Sequence, residues 1–265
     1  MPAPTELADG LKMQEVTTDT CANTDTYANT GKTYELVDSR DNSTYQVRKL
    51  ADGNCWMVQN LRLTGSRTLT SSNSNVSSNF TLTASDDSTW CTSSSSSCDD
   101  KSMVYYNNDT TYGAYYNWYA ATAGTGTYST SSGTVSSSIC PKSGSGNASS
   151  VSWHLPSGNT SGEWYEVFRL GGITYLTWNG ANTPFDTTLG PNSQFSLVLS
   201  GYRYGGSVSG SGSSGYGVYW SSTANGSNSA YYTYVGYNGH LYAGTANGYE
   251  SFGYSVRCVL TAAGS

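Results

Sequence analysis

The sequence predicts a mixed α+β fold, and three observations carry that expectation. Short segments of alternating apolar and polar residues, bounded by Gly, Asp and Asn, have the pattern of strands. Two stretches with apolar residues spaced by three and four have the pattern of helices. Long loops of Ser, Thr, Gly and Asn lie between them. The length of 265 residues allows one large domain or two small ones, and no linker divides the chain. Only 11% of residues are charged and 36% are hydrophobic, yet 23 Tyr and 7 Trp add buriable area that such a count undervalues.

Residues 5–20 are polar with a weak helical pattern and form a lead-in that ends at Cys21. Tyr34 and Leu36 then alternate with polar neighbours, Asp38 to Ser43 supplies a turn, and Tyr45 and Val47 alternate again. Asp52-Gly53 turns the chain into a third strand within NCWMVQNLRL, residues 54–63. Asp38, Arg40 and Asp41 fit a solvated turn stitched by local ion pairs. Residues 64–102 are expected as long surface loop pinned by Phe80, Leu82 and Trp90. The sequon Asn79-Phe80-Thr81 falls there, in a composition that generates such triplets by chance. A first helix is expected over Tyr112 to Ala123, with Tyr115, Trp118, Tyr119 and Thr122 on one face and Gly124 at its C-terminal cap. A second is expected after Leu155-Pro156: Thr160 and Glu163 form a capping box, Trp164, Val167 and Phe168 the apolar face, and Gly171-Gly172 the stop.

Composition excludes some functions. A net charge of −6 with scattered Lys and Arg does not suit a phosphate-tracking surface, so no nucleic-acid partner is expected. His154 and His240 are the only histidines, and neither stands in a nucleophile motif. There is no Walker loop, HExxH, EF-hand loop or strand-flanked GxGxxG. The acidic pairs Asp86-Asp87 and Asp99-Asp100 fit hydrated loops better than a metal or acid/base pair. No catalysis, cofactor or metal is therefore expected. Six cysteines without CxxC or a Cys–His cluster read as the disulfide set of an exported protein. Cys91 is expected to pair with Cys98, because the polar residues between them can only close a small loop. Cys21 with Cys55 and Cys140 with Cys258 are the pairs expected of the rest, although counting leaves other connectivities open. No stretch reaches the length of a membrane span, and Met1-Pro2-Ala3-Pro4 is not a signal peptide. An extracellular or cell-surface location then requires an export signal or anchor outside this sequence, with no direct membrane insertion.

The run from Gly201 to Val259 organises the rest. Between YWSST at 219–223 and SVRCV at 255–259 lie mostly Tyr, Gly, Asn, Ser, Ala and Thr, with a hairpin signal at Asn238-Gly239. Tyr supplies contact area at low rotamer cost and Ser, Gly and Asn supply adaptable hydrogen bonds, the alphabet of paratopes. A glycine-rich sheet edge with tyrosines as strand formers would have the same composition. Val235 and Leu241, with Thr233 and Ala243 beside them, are expected to face the core. Alternation then turns Tyr232, Tyr234, His240 and Tyr242 to solvent, with Tyr237 and Asn238 at the turn. Asn247 and Tyr249, expected in a loop before the last strand, extend this ligand-binding patch, Tyr202 and Tyr204 border it, and Trp220 anchors it in the core.

The ordered motifs VDSRDNSTYQVRKLADGNCWMVQNL at 37–61, YGAYYNWYAA at 112–121, CPK at 140–142, WHLPS at 153–157, EWYEV at 163–167, GYRY at 201–204, YWSST and SVRCV carry a resemblance. Together they resemble the Fibrobacter succinogenes major paralogous domain (FISUMP), a bacterial extracellular module of the C-type lectin-like, formylglycine-generating-enzyme-like fold group. A Ser/Gly/Asn insertion at 143–152 and extra residues between Ser157 and Glu163 depart from the family's pattern. The resemblance implies a lead-in over 1–32 packed on a single C-type lectin-like domain over 33–265. That domain is a twisted antiparallel sheet flanked by two helices, its N- and C-terminal strands adjacent and its ligand-binding region over about 201–254. It also implies kinship with variable proteins of diversity-generating retroelements, in which adenine-directed mutagenesis of Asn codons diversifies a binding face. From Ser221 to Tyr254 every residue except Glu250 belongs to the set such mutagenesis can produce. The function expected is a noncatalytic surface protein, monomeric, that binds a protein or glycan on another cell or surface. The alternatives are a fixed-ligand adhesin or structural surface protein, and more remotely an oxidase of the formylglycine-generating type, for which Cys258 stands alone near the C-terminus.

Overall fold

The computed structural model describes residues 4–63, 65–106, 111–144, 152–173 and 184–264. The lead-in makes a 3-10 turn at Met13–Glu15 and two short helices, α1 (Thr18–Asn23) and α2 (Tyr27–Thr30). Thr17 caps α1 by accepting the Thr20 N–H. Leu7, Met13, Val16 and Cys21 from this segment are buried in the main core. Strands β1 (Tyr34–Asp38) and β2 (Ser43–Lys49) form the expected hairpin, with Leu36 paired to Tyr45 across it. The third strand is shorter than its sequence suggested. Only β3 (Cys55–Met57) keeps a ladder, after which Val58 and Leu61 donate to the carbonyls of Gln46 and Val256.

The long polar region carries more order than a surface loop. It contains the hairpin β4 (Arg67–Leu69) and β5 (Phe80–Leu82), the one-turn helix α3 (Ser96–Asp99) and the start of a second hairpin, β6 (Val104–Tyr106). Leu82 and Trp90 are buried as anchors. The expected helix over Tyr112 to Ala123 is instead strand β7 (Ala114–Tyr116), paired to β6, followed by the short helix α4 (Trp118–Ala121). Two local features overrule the helical spacing. Gly113, at φ +76°, brings the backbone so close to Asn60 and Leu61 that a Cβ would collide with them. Asn117 then caps α4, its side chain accepting the Ala120 N–H.

Strand β8 (Ser132–Thr134) precedes α5 (Glu163–Leu170), the longest helix among the described residues. Its apolar face is the one expected: Trp164, Val167 and Phe168 are buried, and Gly171 ends it. Its start is not. Gly162, rather than Thr160, is the N-cap, and the Glu163 carboxylate turns back to Ser157 and His154. Of the insertion at 143–152, residues 145–151 lie outside the described residues. The remaining elements are α6 (Phe185–Thr188), β9 (Tyr202–Tyr204), β10 (Ser207–Ser209), β11 (Tyr216–Asn225), β12 (Ser229–Gly236), β13 (Leu241–Tyr249) and β14 (Val259–Leu260).

The architecture is α+β, with two four-stranded sheets in the orders β1-β2-β3-β14 and β13-β12-β11-β8. The first and last strands share the first sheet but are not adjacent as expected: β14 pairs with β3 and β1 with β2, so they stand at opposite edges, and α5 packs on β13. The SVRCV segment stitches the sheets together: Ser255 exchanges backbone hydrogen bonds with β11, whereas Val259 pairs with Trp56 of β3. Trp118, Trp153 and Trp220 are buried in one core cluster, and Trp56 and Trp164 in another. All three expected disulfides are present, Cys21–Cys55, Cys91–Cys98 and Cys140–Cys258. No cysteine is free, which fits folding in an oxidising environment. Among the described residues no helix is long and apolar enough to cross a membrane.

Three loop assignments are corrected. Asp38 and Arg40 form a buried ion pair, not a solvated one, because Arg40 reaches under the neighbouring loops to the Ile139 carbonyl and Ser74. Asp87, although exposed, pairs with buried Arg203. Asp99 is fully buried rather than hydrated.

Candidate functional site

Strands β11, β12 and β13 present two unlike faces, because successive side chains alternate. On one face Tyr219, Thr233, Val235, Leu241 and Ala243 are fully buried, beneath Trp164 and Phe168 of α5. On the other, register sets Trp220 opposite Tyr232, Val218 opposite Tyr234, and Tyr234 opposite Tyr242. The register of β11 slips between Trp220 and Ala224. The carbonyls of Trp220 and Ser221 there accept the indole N–H groups of Trp164 and Trp118. The sheet is thus bolted to both cores at this register slip.

The second face is a continuous aromatic layer. Tyr242 meets Tyr234 at 6.1 Å between ring centroids, Tyr234 stacks on Tyr216 at 5.4 Å, and Tyr216 stacks on Tyr202 at 5.9 Å. Phe252 continues it, 5.6 Å from Tyr202, 4.9 Å from Tyr204 and 5.7 Å from Tyr249. Below this layer Tyr254 is buried, 4.1 Å from Trp220 and 4.9 Å from Tyr232. Pairs of this kind add about 0.5–1.5 kcal/mol each beyond area burial. The platform is therefore stiff where it meets the core and open at its rim.

The sequence-based residues divide accordingly. Tyr202, Tyr232, Tyr234 and Tyr242 come together, half-buried, with Tyr204 and Tyr249 exposed at the rim. Tyr237 stands 54% exposed at the β12–β13 turn. Asn238 and His240 form that turn, Asn238 Oδ1 accepting the His240 N–H. Asn247 does not join the patch. It and Tyr249 lie in β13 rather than in a loop, and Asn247 is set opposite Tyr231, on the other face from Tyr232. The cause is that the strand runs on past Tyr242: Asn247 is five residues further, an odd number, and the two extra residues accommodated around Gly244, at φ +68°, leave the alternation unchanged. Tyr216 and Phe252 were missed. Counting back by twos from Trp220 reaches Tyr216, a signal the sequence held; Phe252 follows a turn, where alternation gives no guidance.

The inner hydroxyls of the layer are held in their neutral form. Burial, then the neighbouring tyrosines, raises the hydroxyls of Tyr232 and Tyr254 above their usual value and pushes Tyr216 up to about 12. The face therefore offers rings and neutral hydroxyls. Beside Tyr237 a cavity of about 360 Å³ opens between Tyr112, Phe185, Pro191 and Leu199, with Asp186 as an acid at its wall.

His154 sits elsewhere, with Nε2 2.8 Å from Glu163 and Nδ1 2.9 Å from the Ser152 carbonyl. Burial works to lower its pKa, but the hydrogen bond and charge of Glu163 outweigh it and raise the value. Both ring nitrogens are engaged, Nε2 clamping the WHLPS segment to α5 and Nδ1 tied to its own chain at Ser152. Cys258 is bonded to Cys140. Among the described residues no group of three or more His, Cys, Asp or Glu side chains gathers as a metal site. In comparisons with known proteins, the chain matches no family model, no curated protein and no solved structure.

Proposed function

We propose that this chain is a noncatalytic, exported ligand-binding protein whose aromatic layer on β11–β13 receives a protein or glycan on another cell or surface. The observation that carries this reading is the continuous run of rings from Tyr242 through Tyr234, Tyr216 and Tyr202 to Phe252, open at Tyr204 and Tyr249. Rigid aromatics lose little side-chain entropy on binding, and a preorganised face wastes little free energy on ordering. The three disulfides support an extracellular setting. The C-type lectin-like fold belongs to the same proposal, resting on the ordered motifs, on the shared sheet of the terminal strands and on α5 against β13.

Diversification of the face is part of the reading. Glu250, the one residue of 221–254 outside the adenine-accessible set, is fully buried. The genome of the source supplies the test. A template repeat near a reverse-transcriptase gene, differing from this gene only at adenines, is expected, with changes at codons such as those of Tyr232, Tyr234 and Tyr242 and none at Val235 or Leu241. A gene without such a repeat makes the chain a fixed-ligand adhesin or structural surface protein. For the binding face itself the test is capture by glycan and surface-protein arrays, lost in a Tyr234→Ala, Tyr242→Ala double variant that still folds; capture unchanged by that variant refutes the assignment.

A further inference from the structure

Glu250 has a second property. Its backbone is pinned on both sides, the N–H donating to the Asn228 carbonyl and the carbonyl accepting the Trp118 N–H. Its side chain is fully buried, and neither carboxylate oxygen has a hydrogen-bond partner. Asp99, at the end of α3, is also fully buried; one of its oxygens accepts the Ser94 hydroxyl and the other is unpaired. Asn117 fixes the relation between the two acids. Its side-chain amide donates to the carbonyls of Asp99 and Lys101, while the next residue, Trp118, holds Glu250. The buried Ser251 hydroxyl lies against the Asp99 carboxyl without closing a hydrogen bond of ordinary geometry, and the Ser102 hydroxyl on the same loop is unpaired too. Burial, then the charges of Asp99 and Asp100, pushes the Glu250 carboxyl up to about 9.

Two buried carboxyl groups with three unpaired oxygens need a counter-charge, since an isolated buried carboxylate is costly. One shared proton joins only two oxygens. We infer that the gap between Asp99 and Glu250 is a cation site, taking a hard divalent ion such as Ca²⁺ through their free carboxylate oxygens and the hydroxyls of Ser251 and Ser102. The donors are all oxygen, the set that favours Ca²⁺ over softer metals. Since no third acidic side chain is gathered there as a ligand among the described residues, carbonyl oxygens and water complete the shell. The site also has a position of consequence. It joins the Cys91–Cys98 loop to the end of β13, where the Trp90 indole donates to the Ser251 carbonyl and the Tyr204 hydroxyl to the Thr92 carbonyl. An ion held there fixes the loop that borders the aromatic layer, although the inference does not depend on that layer's function.

The test uses the full chain stripped with EDTA at neutral pH. Adding CaCl₂ to about 10 mM is expected to raise the melting temperature by about 3–8 °C, for an affinity in the range of extracellular calcium sites. Tb³⁺ is expected to show emission sensitised by Trp90 and Trp118 and displaced by Ca²⁺. Glu250→Gln and Asp99→Asn, each close in shape to the native residue, are expected to fold and to lose both responses. A wild-type chain indifferent to CaCl₂ and MgCl₂ and silent with Tb³⁺ overturns the inference, and so does a Glu250→Gln chain that keeps the Tb³⁺ signal. If Glu250→Gln alone fails to fold, Ser251→Ala serves, expected to weaken Ca²⁺ binding at least threefold; unchanged affinity in Ser251→Ala counts against the site.

Discussion

Trp220 and Tyr232 stand directly opposite one another on β11 and β12, their rings edge to face at 6.5 Å, yet Trp220 is fully buried and Tyr232 only partly so. The face therefore grades from core to surface along neighbouring strands. Trp220→Ala is expected to cost about 3–5 kcal/mol, as for other buried Trp truncations. Tyr232→Ala, which uncovers Tyr254, is expected to cost about 1–3 kcal/mol. Tyr237→Ala, at the exposed turn, is expected to stay within about 0.5 kcal/mol. Urea denaturation of the three variants checks the order. Equal losses at Tyr232 and Tyr237 would show that the gradation is not energetic.

The disulfides differ in the span they close. Cys140–Cys258 links positions separated by 118 residues, and Cys91–Cys98 positions separated by 7. Loop-closure entropy gives about 5 kcal/mol for the first and about 2.4 kcal/mol for the second. Replacing Cys140 and Cys258 together by Ser is thus expected to lower stability roughly twice as far as the matching change at Cys91 and Cys98. Intact mass before and after reduction should differ by six hydrogens. Thermal melts of both double variants decide the ranking.

Periodicity and turn chemistry made much of the fold legible. The hairpin at 34–49, the apolar face of α5, and the inward set Thr233, Val235, Leu241 and Ala243 were all visible in residue spacing. What escaped was set by contacts distant in sequence. The spacing of Tyr115, Trp118 and Tyr119 is helical, but β6 and the tight passage at Gly113 make Ala114–Tyr116 a strand. Asn247 was read as loop; because β13 continues to Tyr249, ordinary alternation from Tyr242 sets it on the other face. Arg40 and Asp99 sit in polar stretches that carry no sign of burial, because the segments covering them come from elsewhere in the chain.

The Asp38–Arg40 pair is fully enclosed, Arg40 Nε standing 2.9 Å from both Asp38 oxygens. Burial raises the Asp38 carboxyl, but the charge and hydrogen bonds of Arg40 outweigh it and hold the value below the usual range. Asp38→Asn leaves the guanidinium enclosed without its anion, and is expected to cost about 3–5 kcal/mol. Asp38→Asn combined with Arg40→Met is expected to recover part of that loss. A double variant weaker than the single would mean that Arg40 acts mainly through the Ile139 carbonyl.

The His154–Glu163 clamp gives stability a pH dependence whose sign follows from both partners. His154 is raised above its usual 6.5, so its contribution is complete below that value and is lost as pH rises through the folded value. Burial works to raise Glu163, but His154 and Ser157 together hold it below its usual 4.5. Its contribution is complete above 4.5 and is lost as pH falls through the folded value. The clamp therefore contributes most between about pH 4.5 and 6.5. Its hydrogen bonds involve charged groups, so the contribution is of order 1–2 kcal/mol. Glu163→Gln is expected to lower the melting temperature most within that window and to converge with wild type on the alkaline side. Subtracting the variant's melting curve from the wild-type curve across pH isolates the clamp from every other titrating group. A difference that is flat with pH, or that grows toward pH 9, would assign Glu163 a role through Ser157 alone.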